Sequence, residues 1–210
     1  MRETAAIKVP ELRFTEFSGD WEPIQLRDRC SLITKGTTPK YFVPSGSVTY
    51  VKLEAISECV VRPEKCLSIT TDVHEGILRR SRLEEGDLLL AIAGATVGKL
   101  GVVDEKILPA NTNQALAIIR TTKNFRQFLV HQMQSDVMSR YIDGCVAVGA
   151  QPNLSLKQVG DYSLAVPLVE GEQQKIAEFL TGVDDKITAV ANQIDKAAEF
   201  KKGLLQKMFV

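Results

Sequence analysis

The chain has 210 residues, 44% apolar and 25% charged, which suffices to bury one substantial core and carry an appendage but not to build several domains. Its 26 basic residues balance 26 acidic ones, which excludes the strongly cationic class of nucleic-acid binders and leaves only a local basic face to attract a polyanion. No apolar run is long enough to span a bilayer, and residues 1–8 hold no apolar stretch fit for a signal peptide, so a cytoplasmic chain without a membrane anchor is expected.

In chain order, residues 1–20 are polar and mixed, with Pro10, Ser18 and Gly19, and read as an arm leading to Trp21. From there to about residue 170, short apolar or β-branched runs at 30–34, 48–53, 59–69, 88–92, 100–103, 114–120 and 162–166 alternate with turn residues and predict strands. Phe125, Phe128, Leu129, Met133, Val137 and Tyr141 recur at helical spacing and predict one internal helix over 124–141, with Asn124 placed as N-cap. Many strands, few helices and no regular β-α-β alternation point to an α+β fold, strand-rich over 21–170.

The last forty residues carry the clearest pattern. Ile176, Leu180, Val183, Ile187, Val190, Ile194, Ala197, Lys201, Leu204 and Met208 follow one another at steps of four and three, a heptad seam with Lys201 as its one charged member. A helix over 171–210 is expected to be a coiled coil: from Glu172 to Met208 it would reach about 55 Å at 1.5 Å per residue. The preceding domain should measure only about 40 Å across. The helix must overhang, and an apolar stripe left in water is unfavourable by about 25 cal/mol per Å², so a partner helix is expected.

Signals for catalysis are missing. Gly94-Ala95-Thr96-Val97-Gly98-Lys99 is one residue short of a phosphate loop, and Leu100 stands where Ser or Thr should follow the lysine, so it reads as a tight turn between two strands. No Asn/Asp-Pro-Pro-aromatic loop exists for base methylation, and Pro63-Glu64-Lys65 lacks the carboxylate spacing of a Mg²⁺ nuclease. Cys30, Cys59, Cys66 and Cys145 are too scattered for zinc and read as buried or half-buried thiols; His74 and His131 read as surface or satisfied core residues. Glu84, Glu85 and Asp87 read as a turn before a strand rather than as acid-base groups. No catalytic residue, metal or cofactor is expected.

Several polar loops instead hold groups suited to base edges and phosphates. Lys35-Gly36-Thr37-Thr38-Pro39-Lys40-Tyr41 offers hydroxyls, cations and an aromatic ring on a turn; Asn111-Thr112-Asn113-Gln114 and Gly149-Ala150-Gln151-Pro152-Asn153 add carboxamides, which bond adenine bidentately. Each alone also fits an ordinary turn.

Taken in order, these segments resemble the specificity subunit of type I restriction-modification enzymes over nearly the whole chain. The resemblance is carried by Val9-Pro-Glu-Leu-Arg-Phe-Thr-Glu-Phe17 with Gly19-Asp-Trp-Glu22, by Lys35 to Pro39, by Glu85-Gly-Asp-Leu-Leu-Leu90 with the turn at 94–99, by Gly149-Ala-Gln-Pro-Asn-Leu-Ser155, and by Pro167 with Glu172-Gln-Gln-Lys-Ile-Ala177. It implies a non-catalytic reader of one half of a split DNA sequence, with methylation and cleavage left to methyltransferase and restriction subunits. Such a subunit has two recognition domains and two spacer helices, whereas this chain has one of each, so a half-length form is expected.

The resemblance therefore implies double-stranded DNA and a methyltransferase subunit as partners, with a restriction subunit where the system has one. A second copy should join through an antiparallel coiled coil along the Ile176 to Met208 seam. Lys35, Thr37, Thr38, Lys40, Tyr41, Asn111, Asn113, Gln114, Gln151 and Asn153 are candidates for base or backbone contacts, and Arg62, Arg79, Arg80, Arg82 and Lys99 for phosphates. A coiled-coil adaptor with a protein-binding globular domain is the second reading, supported by the zero net charge.

Overall fold

The central element is a six-stranded mixed sheet whose middle strands are apolar on both faces. In the computed structural model, which describes residues 10–145 and 153–209, it is built from β2 (Cys30–Lys35), β4 (Ile56–Ser57), β5 (Cys59–Val61), β7 (Leu88–Ala91), β8 (Leu100–Val102) and β10 (Leu116–Thr121) in the order β2-β10-β7-β8-β5-β4. All neighbours are antiparallel except β5 and β8. Alternation sorts each strand's side chains onto two cores: Leu88, Leu90, Ala117 and Ile119 face one, Leu89, Ala91, Leu116 and Ile118 the other.

A smaller sheet of β6 (Leu67–Ile69), β3 (Val48–Val51) and β9 (Ala110–Thr112) lies beyond the second core, next to the short helix α1 (Thr71–Glu75). The first core is closed by α2 (Lys123–Met133), α3 (Asp136–Cys145), α4 (Leu156–Asp161) and a ribbon of β1 (Trp21–Gln25) paired with β11 (Ser163–Pro167). The architecture is α+β, as expected.

Several boundaries differ from the sequence reading. The expected helix over 124–141 is two helices, because the chain breaks at Gln134 and Ser135, where Ser135 Oγ donates to the Gln132 carbonyl at 2.7 Å. Its N-cap is Thr122, not Asn124. The run 59–69 is two strands, interrupted by a 3₁₀ turn that Pro63 opens. The strands β1 and β9, and the capping-box helix α4, were not foreseen.

Helix α5 (Glu170–Phe209) runs for 40 residues, about 60 Å. Its first turns are anchored: Glu172, Gln173 and Ala177 are buried, and Gln173 Nε2 donates to the Pro167 carbonyl at 2.9 Å. Arg13 grips the buried Glu172 carboxylate with two bonds of 2.7 Å, and Trp21 Nε1 donates to it at 3.3 Å. Asn124 and Phe125 line one cavity with Glu170, Gly171, Gln173 and Gln174, while His131 Nε2 meets Thr181 Oγ1 at 3.2 Å, so α2 and α5 run side by side in the same direction. Beyond Asp184 nothing in the described chain covers α5: Ile187, Ile194 and Met208 are 61%, 63% and 71% exposed.

Candidate nucleic-acid interface

Pairing in the central sheet brings four chain segments to one of its ends. Lys35, the last residue of β2, pairs with Ala117 near the start of β10; Leu116 pairs with Ala91 at the end of β7; and Leu90 pairs with Leu100 at the start of β8. The loops beyond them therefore share one end: 36–41, 113–115 and the hairpin turn 92–99. Residue Asn153 joins them through a bridge to Ala93, and Leu154 N donates to the Ile92 carbonyl at 2.8 Å.

Two glycine features make this gathering possible. Gly36 lies so close to β9 that a Cβ there would sit 2.1 Å from the Thr112 carbonyl oxygen, and this approach lets Thr37 N donate to that carbonyl at 2.9 Å. Gly94 and Gly98 take φ of 92° and 94°, the left-handed conformations of the tight turn expected there. Across the gap, Thr38 Oγ1 donates to Gln114 Oε1 at 2.5 Å, tying the first two loops together, and the Gln114 side chain is exposed. Tyr50 OH donates to the Thr37 carbonyl at 3.0 Å, and its ring packs edge-on against Phe42 at 5.1 Å.

The candidates divide on this geometry. Lys35, Thr37, Thr38, Lys40, Tyr41, Gln114 and Asn153 are exposed at the shared end, and Asn113 and Lys99 are half-buried there. Asn111 drops out: it is fully buried, its Oδ1 accepts from His74 Nδ1 at 2.5 Å, and its Nδ2 donates to the Leu78 carbonyl at 3.0 Å and to Ser81 Oγ at 3.3 Å. The carboxamide holds the 78–82 turn to β9, and His74 is a satisfied core residue.

Arg79 and Arg80 are exposed on that same turn, whereas Arg82 is occupied by Glu75. Arg62 follows the far end of β5, pairs with Glu58 at 2.6 Å, and is not brought to the loops. Gln151 lies outside the described residues. Phe42 and Thr96, exposed beside Tyr41 and at the hairpin tip, are members the sequence reading missed; an aromatic neighbour of Tyr41 was the available signal for the first.

The carboxylates before β7 are internally compensated. Buried Asp87 is held by Arg120 through bonds of 2.7 and 2.8 Å and accepts from Glu84 N at 2.8 Å, so this carboxylate cluster is a structural turn; hydrogen bonding to Asp87 holds the Arg120 guanidinium above its ordinary pKa. Burial pushes the Cys30 thiol up to about 12 and that of Cys66 up to about 11, the state of inert packing thiols. Among the described residues no three His, Cys, Asp or Glu side chains gather into a metal-binding group, and no helix is long and apolar enough to cross a membrane.

The profile of the type I restriction modification DNA specificity domain matches residues 18–199. The chain belongs to this family. Among relatives of this specificity-domain protein, a putative type I restriction enzyme MjaX specificity subunit from Methanocaldococcus jannaschii is 26% identical over 202 residues, 92% of this chain and 46% of that protein. The MjaVIII specificity subunit of the same organism is 22% identical over 99% of this chain and 44% of its own length. The S subunit of the type I restriction-modification system from M. genitalium superposes with a TM-score of 0.66 at 14% identity, over 96% of this chain and 49% of that one. HsdS from Thermoanaerobacter tengcongensis gives 0.61 at 17% identity, over 90% and 48%. The specificity-domain chain thus spans about half the length of the relatives it matches, and shares their fold.

Proposed function

We propose that this chain is the non-catalytic reader of a type I restriction-modification system in the cytoplasm: it binds one half of a split duplex sequence, pairs with a second copy through α5, and docks a methyltransferase subunit, with a restriction subunit joining where the system has one. The observation that carries the reading is the convergence of four polar loops at one end of the central sheet. Gln114, Asn113, Asn153 and Thr37 are suited to base edges, and Lys35, Lys40, Lys99, Arg79 and Arg80 to phosphates. Gln151 remains a candidate from the sequence.

The α5 seam supports pairing and favours one orientation. In antiparallel register every seam residue finds a partner: Ile176 opposite Met208 of the second copy, Leu180 opposite Leu204, Val183 opposite Lys201, Ile187 opposite Ala197, and Val190 opposite Ile194. A parallel pair would set Lys201 against Lys201, whereas the antiparallel one places it beside Asp184. Two-fold symmetry then sets the reading domains at opposite ends, and the site becomes an interrupted palindrome.

The deciding experiment is co-expression with a methyltransferase subunit, followed by mapping of protected adenines. A symmetric split sequence is expected; a continuous or asymmetric site overturns the half-site reading. The adaptor alternative, motivated by the zero net charge, requires DNA binding to be absent or insensitive to salt in the assembled complex.

A further inference from the structure

We infer that the N-terminal arm and the first turns of α5 form a receptor groove for the C-terminal tip of α5 from a second copy. This rests on the antiparallel pairing proposed above and adds a contact that pairing alone does not require.

The arm packs along the helix and not over the domain. Arg13 is bound to Glu172, Phe14 stands edge-on to Phe179 with centroids 5.7 Å apart, and Lys175 pairs with Glu16 while lying 4.8 Å from the centre of the Phe14 ring. Between arm and helix runs a groove of about 370 Å³ walled by Leu12, Phe14, Trp21, Ile176, Phe179 and Leu180. Both cations of its wall are paired, Arg13 with Glu172 and Lys175 with Glu16, and among the described residues nothing covers its apolar rim: Leu12 is 89% and Phe179 56% exposed.

Two independent features identify the occupant. The first is register: Ile176 and Leu180 belong both to the groove and to the seam, and the antiparallel match brings Met208 and Leu204 of the second copy onto them. In the same register Lys207 falls beside the Phe179 ring, on the flank of the seam where the arm packs, while Leu205 and Phe209, exposed at 47% and 80%, flank its other side. The second is charge. Residues 200–209 carry Lys201, Lys202 and Lys207 and no acid, whereas 10–20 and 170–184 carry seven acidic residues (Glu11, Glu16, Asp20, Glu170, Glu172, Glu178, Asp184) against two basic ones, Arg13 and Lys175. An apolar tip with a cationic rim fits an apolar groove with an anionic rim, and two-fold symmetry makes the clasp reciprocal.

The test places the photo-cross-linking residue p-benzoylphenylalanine at Leu12 in the full chain, an exposed site where it does not disturb folding. Cross-link mass spectrometry is read beside sedimentation velocity. The expected result is a dimer with inter-chain cross-links to residues 204–209, and a Leu12→Lys variant whose self-association is at least tenfold weaker. A dimer cross-linked within one chain, onto residues 1–9 for instance, or onto any other segment, overturns the clasp while leaving the pairing intact. A monomer at high concentration overturns both.

Discussion

The two halves of the molecule use the same apolar residue types in opposite ways. In the central sheet, Leu88 to Ala91 are wholly buried because each face of β7 has its own core. In α5, Ile187, Val190 and Ile194 are more than half exposed, although they repeat with a regularity no strand of the sheet matches. Exposure on this scale along one stripe is what the proposed pairing with another helix would cover. On the proposed pairing, the contrast separates residues whose loss unfolds the chain from residues whose loss only separates copies.

The sharpest break of that contrast is the double variant Ile187→Asp with Ile194→Asp. Burying carboxylates in the seam costs several kcal/mol, so sedimentation should find self-association weakened by about 1,000-fold or more, with near-UV circular dichroism of the reading domain unchanged. Leu89→Ala is the reverse case: about 3 kcal/mol of folding stability should be lost in urea titration, whereas Ile194→Ala should lose under about 0.5 in monomers, because its side chain is already in water.

A smaller effect is expected at the polar end of the sheet. Lys40→Ala should weaken duplex binding a few-fold for all sequences and lower the salt slope by about one, read by fluorescence anisotropy; an unchanged slope would remove Lys40 from the phosphate contacts. The smallest is chemical. With its thiol pushed up to about 12 by burial, Cys30 stays protonated as pH rises, so its alkylation in the folded chain should climb about tenfold per unit between pH 8 and 10 without levelling. The seam variant should leave that profile untouched.

Much of the α+β fold was legible because strand and helix periods differ: the buried runs at 88–91, 100–102 and 116–121 were foreseen to within a residue or two. What escaped reading had weak local signals. β1 contains Pro23, which argues against a strand until β11 is known to lie beside it. β9 is only Ala-Asn-Thr, and the break between α2 and α3 falls where the apolar spacing slips by one residue, from Met133 to Met138.

The candidate interface shows the same limit from another side. Asn111 and Gln114 stand three positions apart in one polar segment, yet one is locked in the core and the other faces water. Residue identity cannot tell them apart, because the difference is made by His74 and Thr38, contacts 37 and 76 residues distant in sequence. The seam needed no such information, since its pattern is contained within one helix.

The bond between Arg13 and the sunken Glu172 has a mechanical side. A rod of 40 residues amplifies any wobble at its root: one degree of tilt moves a tip about 60 Å away by about 1 Å. Clamping the helix base with a doubly bonded carboxylate, a buried amide and an aromatic edge turns the sheet and the rod into one lever. Aim at the far end is then set by the stiffness of a few side chains at the near one.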